Sequence, residues 1–261
     1  MRLPRTLVRT IARAKPLVPE RAWPVLLSLR SLAGSGPIVG LPSFRRVLAL
    51  AAHPDDESIG CGGTLALLAD RGAVVSVVFA TDGEATRGAG VAEEEVRGLR
   101  RAEAQAACRA LGLPAPRFLG HPDGDLASAL GGLSRHLQAL IDELAPEAIM
   151  APWVLDPHPD HVELDRALAA CTLPDTCEVW MYETWAPLAP NRVVDITGVM
   201  ERKRSAVAEH ATAHLAFDVG AMLGLSRYRS VHGLMGRGYA EAFMAVPAGE
   251  FPKLLEQAAG S

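Results

Sequence analysis

The tripeptide His-Pro-Asp occurs three times in this chain, at His53, His121 and His158. Two copies lie in runs dense with groups that bind metals or move protons. These are His53-Pro54-Asp55-Asp56-Glu57 and Asp156-Pro157-His158-Pro159-Asp160-His161. Two imidazoles and a carboxylate make a sound zinc set, three protein ligands with a fourth position left to water. With one anionic ligand the ion keeps a net positive charge, so it can acidify that water and polarise a carbonyl. Ligands drawn from both runs leave spare groups in each. A hydrolase needs such spares: a base for the water, and an acid or oxyanion partner opposite it. Spacing leaves open which of the adjacent aspartates, Asp55 or Asp56, would bind the metal. A lone His-Pro-Asp is more often a turn or a helix cap, and Asp55 is placed to cap a following helix. Two acid- and His-rich copies at strand ends favour a site. The middle copy, His121-Pro122-Asp123-Gly124, has no second ligand near it in sequence, and Pro-Asp-Gly reads as a turn at a pocket rim.

The elements that must position these groups alternate. "RRVLALAAH" reads as a buried strand that runs straight into the first cluster, and "IGCGGTLALLADRG" as a helix ended by Gly72. "AVVSVVFATDG" is a second strand, and "VAEEEVRGLRRAEAQAACRALGL" a long helix with acids in its first turn. Further strands are expected at "PRFLG", "EAIMAPW", "CEVWMYET" and "RVVDIT". Helices are expected at "LSRHLQALIDELA", "HVELDRALAACTL" and "GVMERKRSAVAEH". Apolar strands separated by helices of ten or more residues indicate parallel βαβ units. The expected fold is α/β: a Rossmann-like open, mostly parallel sheet with helices on both faces. Ligands of such sheets bind outside the carboxyl ends of the strands, where both His-Pro-Asp runs fall. A proline also biases the residue before it towards extended backbone and suits the first turn of a helix, so each His-Pro-Asp turns a strand into a helix. "HLAFDVGAMLGLSRYRSVHGLMGRGYAEAF" reads as an irregular lid or pocket wall, with Arg227, Tyr228 and His232 available to it.

The length of 261 residues suits one large α/β domain, or at most two small ones, and the net charge of −4 gives no case for nucleic-acid binding. The four cysteines form no C-x-x-C pair, which excludes a zinc ribbon or thioredoxin site and reads as thiols in a reducing, cytoplasmic setting. No apolar stretch is long enough to span a bilayer. Residues 1–40 read as a basic helical extension and linker, and 41–261 as the catalytic domain. The extension reads as packing on the domain; peripheral contact with acidic lipid is the alternative. The glycines of "GCGGT" lack both G-x-G-x-x-G and a P-loop lysine, so they suggest close helix–sheet packing rather than a phosphate cradle.

With these residues in place, the chain resembles the PIG-L/LmbE-like de-N-acetylases, zinc enzymes that remove acetyl from N-acetylglucosamine-type amides. "AAHPDDE" is similar to their first motif and "HPDH" at 158–161 to their second. Weaker likenesses run from about residue 46 to 246. The resemblance implies that His53, Asp56 and His161 are zinc ligands and that Asp55 is the general base. It implies that His158 stabilises the oxyanion or protonates the leaving amine, with Asp160 orienting and charging it. Glu84, Arg87 and Asp123 are candidates for sugar hydroxyl contacts. Fe²⁺ or Co²⁺ would suit the same ligands. The implied substrate is a small-molecule or glycoconjugate acetamide. A related amidase for another amide, such as a thiol conjugate, and a non-catalytic metal- or sugar-binding protein are the alternatives.

Overall fold

The apolar run Val47–Ala52 has hydrophobic residues at both parities because both of its faces are covered. In the computed structural model, which describes residues 38–86, 90–215 and 218–259, it lies in strand β2 (Arg46–Ala51) and the residue after it. Val47, Ala49 and Ala51 enter one core, and Leu48, Leu50 and Ala52 enter the other. The neighbouring strands β3 (Val74–Thr81), β4 (Arg117–His121), β5 (Ala148–Pro152) and β6 (Glu178–Tyr182) run parallel to it in the order β6-β5-β2-β3-β4.

Helices follow the strands. Asp56–Gly60 (α1) and Gly62–Asp70 (α2) come after β2, and Glu93–Leu111 (α3) after β3. Leu126–Leu144 (α4) follows β4, and Pro159–Ala169 (α5) follows β5. Side chains of α2 and α3, together with Met200 and Ala206 of α6 (Met200–Glu209), fill the first core. Side chains of α4 and α5, with Phe251 and Leu255 of the last helix, fill the second. The expected Rossmann-like arrangement is present: a mostly parallel sheet with helices on both faces. The glycines of "GCGGT" do pack closely. A Cβ on Gly60 would run into the Tyr182 ring, and one on Gly63 would come within 2.8 Å of Ile196.

The second half departs from the sequence expectation. Strand β7 (Arg192–Asp195) does not pair with β6; β8 (Ala240–Pro247) inserts between them, antiparallel to both. The segment expected to be irregular contains a helix, α7 (Val219–Arg229), and a last helix, α8 (Phe251–Ala259), closes the described chain. Residues 1–37, and so nearly all of the expected extension, lie outside the described residues. Ile38–Val39, read as linker, form a short edge strand (β1) parallel to β7. Among the described residues, no helix is long and apolar enough to cross a membrane. The four cysteines are unpaired, and all but Cys171 are buried.

Candidate active site

Polar groups far apart in sequence converge at the carboxyl ends of the parallel strands. His53 to Asp56 leave β2, Asp82 and Glu84 leave β3, Asp123 follows β4, Asp156 to His161 follow β5, and Glu183 and Thr184 follow β6. Each imidazole of the proposed ligand set has one nitrogen held by carboxylates. His53 Nε2 lies 3.0 Å from Asp160 Oδ2 and 3.1 Å from Asp123 Oδ1. His161 Nδ1 lies 3.2 Å from Asp156 Oδ1 and 3.4 Å from Thr184 Oγ1. The other nitrogens face Asp56, with His53 Nδ1 3.6 Å from Oδ2 and His161 Nε2 3.3 Å from Oδ1. Each of these nitrogens faces a different oxygen of Asp56, which sets two imidazoles and one carboxylate side by side, the residue types of a zinc set. His161 Nε2 is buried and has no hydrogen-bond partner, which fits a ligand atom. An outer carboxylate that fixes the tautomer of a ligating histidine is the usual support for such a site.

The electrostatics agree. Burial raises the Asp56 pKa, but His161 and His53 outweigh it and hold the carboxyl well below the usual range. Burial lowers His161, but Asp56 and Asp156 outweigh it and lift the pKa to about 9. Burial also lowers His53, and hydrogen bonds to Asp123, Asp160 and Asp56 lift it well above the ordinary value. His158 behaves oppositely: burial, then His53 and His161, push it down, which favours the neutral ring. Its Nδ1 accepts the Asp160 N–H at 3.2 Å, so the neutral ring carries its proton on Nε2. The ligand atoms of His53, His158 and His161 lie within 4.8 Å of one another, as do those of His53, Asp123 and Asp160.

Asp55 points elsewhere. Its Oδ2 is 3.5 Å from Arg100 Nη2, and burial raises its pKa against the opposing pull of Arg100. Its backbone has φ 141° and ψ −29°, strain worth about 1–3 kcal/mol of the kind that collects at functional sites.

Several expectations are changed or refined. The Asp160 carboxylate is directed at His53 and at the backbone N–H groups of Gly124 and Leu126, not at the His158 ring. The expected turn is present at Asp123–Gly124, and the fold brings Asp123 onto His53, with its Oδ2 accepting the Ala85 N–H at 2.8 Å. Only His121 of the middle copy stands apart, paired with His136 at 3.0 Å. In the segment read as a lid, Arg229 rather than Arg227 is the buried cation, and it pairs with Glu183. Tyr228 is exposed. Glu84 accepts the Asp123 N–H at 3.3 Å and sits 3.4 Å from Arg97, so it supports the Asp123 loop. Arg87 lies outside the described residues. Sequence reasoning gave no role to Asp156 or Thr184, although Asp156 stands only two residues before His158. The amino end of α2 has no room for a phosphate: Glu241 accepts the N–H groups of Gly63 and Thr64 at 2.8 and 2.7 Å.

The chain is similar to known proteins in sequence and in fold. The family model for GlcNAc-PI de-N-acetylase, PIG-L, matches residues 48–172. The 1D-myo-inositol 2-acetamido-2-deoxy-alpha-D-glucopyranoside deacetylase of Mycobacteroides abscessus is 30% identical over 244 residues, 70% of this chain and 86% of that protein. The N,N'-diacetylchitobiose deacetylase from Pyrococcus horikoshii superposes with a TM-score of 0.67 at 25% identity, over 80% of this chain and 86% of that one. A 4-carboxy-2-hydroxymuconate hydratase from Pseudomonas putida superposes with a TM-score of 0.62 at 24% identity, over 77% of this chain and 96% of that one, a likeness of fold alone. A shared fold does not by itself fix the chemistry, so the function is argued from the site. By its match to the family model and its length-wide likeness to the mycobacterial deacetylase, this chain belongs to the PIG-L family of de-N-acetylases.

Proposed function

We propose that the protein is a metal-dependent N-deacetylase that hydrolyses the acetamide of an N-acetylglucosamine-type conjugate, releasing acetate and a free amine. The observation that carries this reading is the different surroundings of two adjacent aspartates. Asp56 lies between two imidazole nitrogens, while Asp55, with its raised pKa, turns away to Arg100. One carboxylate serves as a ligand, and the other is left to move a proton.

His53, Asp56 and His161 would hold the ion, with zinc the best fit to a two-His, one-carboxylate set. A bound divalent cation supplies Lewis acidity, polarising an acyl oxygen and acidifying water. Asp55 takes the proton from the attacking water; burial raises its affinity for that proton, which suits a base working near neutral pH. His158 presents its Nε2–H to the developing oxyanion or the departing nitrogen. Asp160 holds His53 in place. Asp123 Oδ1 has an imidazole as its neighbour in the cleft, so Asp123 is placed to accept a hydroxyl of the sugar. Arg87 remains a candidate for the same task.

The named relatives act on N-acetylglucosaminyl groups with different partners, inositol in one and a second sugar in the other. The proposal therefore commits to the sugar acetamide and not to its aglycone. Acetate release from a panel of N-acetylglucosamine conjugates, with the protein loaded with zinc, tests it. Release from at least one conjugate is expected, and abolished by a chelator. A fully loaded protein that releases no acetate from any of them would overturn the reading.

A further inference from the structure

The strained peptide between Pro54 and Asp55 is gripped on both of its polar atoms. The Pro54 carbonyl accepts a hydrogen bond from the Arg100 guanidinium. The Asp55 N–H donates to Glu57 Oε2 at 3.3 Å. Rotating this peptide plane would relieve the backbone at Asp55, but it would break both bonds at once. Among the described residues, Ala145 and Met235 also have positive φ, at 41° and 53°, close to the ordinary left-handed helix; Asp55 at 141° is far from it. The conformation is therefore one that the hydrogen bonds on either side of the peptide have to hold.

The outer grip is built from distant elements. Arg100 comes from α3 and also donates to Thr86 Oγ1 at 2.8 Å. Glu57 is fully buried, and its second oxygen, Oε1, accepts the Ser58 hydroxyl at 2.6 Å. Ser58 Oγ lies 3.2 Å from His210 Nε2, at the carboxyl cap of α6. With its hydrogen given to Glu57, Ser58 accepts from His210, so the chain of donors runs His210 to Ser58 to Glu57. The sugar and metal reading uses none of these three side chains.

We propose that Glu57 and Arg100 are positioning residues that hold the Pro54–Asp55 peptide in its strained orientation, with His210 and Ser58 keeping Glu57 seated. The grip sends the Asp55 and Asp56 carboxyls in different directions, one to the proton-transfer position and one to the metal. Its role in turnover rests on the deacetylase reading above; the strain itself does not.

Two measurements test it. In the zinc-loaded protein, Glu57→Ala is expected to lower kcat by about a hundredfold, the scale of a small misplacement of a reacting group. KM should stay within about twofold, and bound zinc per chain should be unchanged. Glu57→Gln, which keeps an oxygen for the Asp55 N–H and offers its amide to Ser58 Oγ, should recover most of the loss. Loss of zinc in step with activity, or no recovery in Glu57→Gln, would overturn the proposal. The second measurement needs no activity. Asp55→Gly is expected to melt above Asp55→Ala, because glycine alone tolerates this backbone; at an unstrained position the order reverses. A glycine variant that melts at or below the alanine variant would also overturn it.

Discussion

Asp55 and Asp56 are neighbours in sequence, yet their carboxyls sit in opposite electrostatic surroundings. The carboxyl at Asp56 is held ionised by His161 and His53, against burial. That at Asp55 is raised by burial, with Arg100 offsetting part of it. Substitutions should therefore separate cleanly. Asp55→Ala should retain stoichiometric metal while acetate release falls by about 10²–10⁴-fold, the usual span for a lost general base. His161→Ala should lose the metal itself, since its Nε2 is directed at Asp56 and has no other partner. Elemental analysis beside an acetate assay decides both; full turnover in Asp55→Ala would remove it from the proton-transfer role.

At the scale of elements, one buried ion pair joins two pieces of the second half, α6 and β8, to α1 and α2 of the first. Lys203 Nζ on α6 lies 2.5 Å from Glu241 Oε1 on β8 and donates to the Ile59 carbonyl at 2.6 Å. Glu241 in turn satisfies the amino end of α2. Both side chains are 1% exposed, so neither charge has water to fall back on. Breaking such a pair from one side leaves an uncompensated buried charge and typically costs about 3–5 kcal/mol. Lys203→Met should lower unfolding stability by that order in urea titrations. Adding Glu241→Gln should recover part of the loss. If the two substitutions simply add, the pair is not coupled as drawn.

At the scale of the whole molecule, the raised pKa of His161 links folding stability to pH. His161 has a folded pKa of about 9 against an ordinary value of 6.5. The folded metal-free protein thus holds this proton more tightly than the unfolded chain does. Its stabilising contribution is complete below about pH 6.5 and disappears as pH rises through about 9. Bound metal requires the deprotonated ring, so it removes this dependence and competes with protons for the site. Melting temperatures of chelated and zinc-loaded protein across that range should diverge, with the chelated form falling towards pH 9 and the loaded form not following. Parallel curves would mean that His161 does not carry the linkage.

The first half of the chain could be read from its residues because the central parallel strands β2 and β5 are apolar at both parities and end on polar clusters. That pattern requires a covered sheet with its site at the carboxyl edge, and residues 46–53 declare both in one stretch. The family motifs then assigned the ligand and base roles that spacing left open. The second half was harder to read. β8 carries Glu241 in its interior, which interrupts the apolar signal, and its insertion between β6 and β7 depends on burying that acid against Lys203 and α2. Only the tertiary structure could bring Asp123 to His53, turn Asp160 from His158 to His53, and set Glu57 and Arg100 on either side of one peptide. Each of these contacts joins separate loops or neighbouring turns by the direction of a side chain, and direction is fixed by packing rather than by order along the chain.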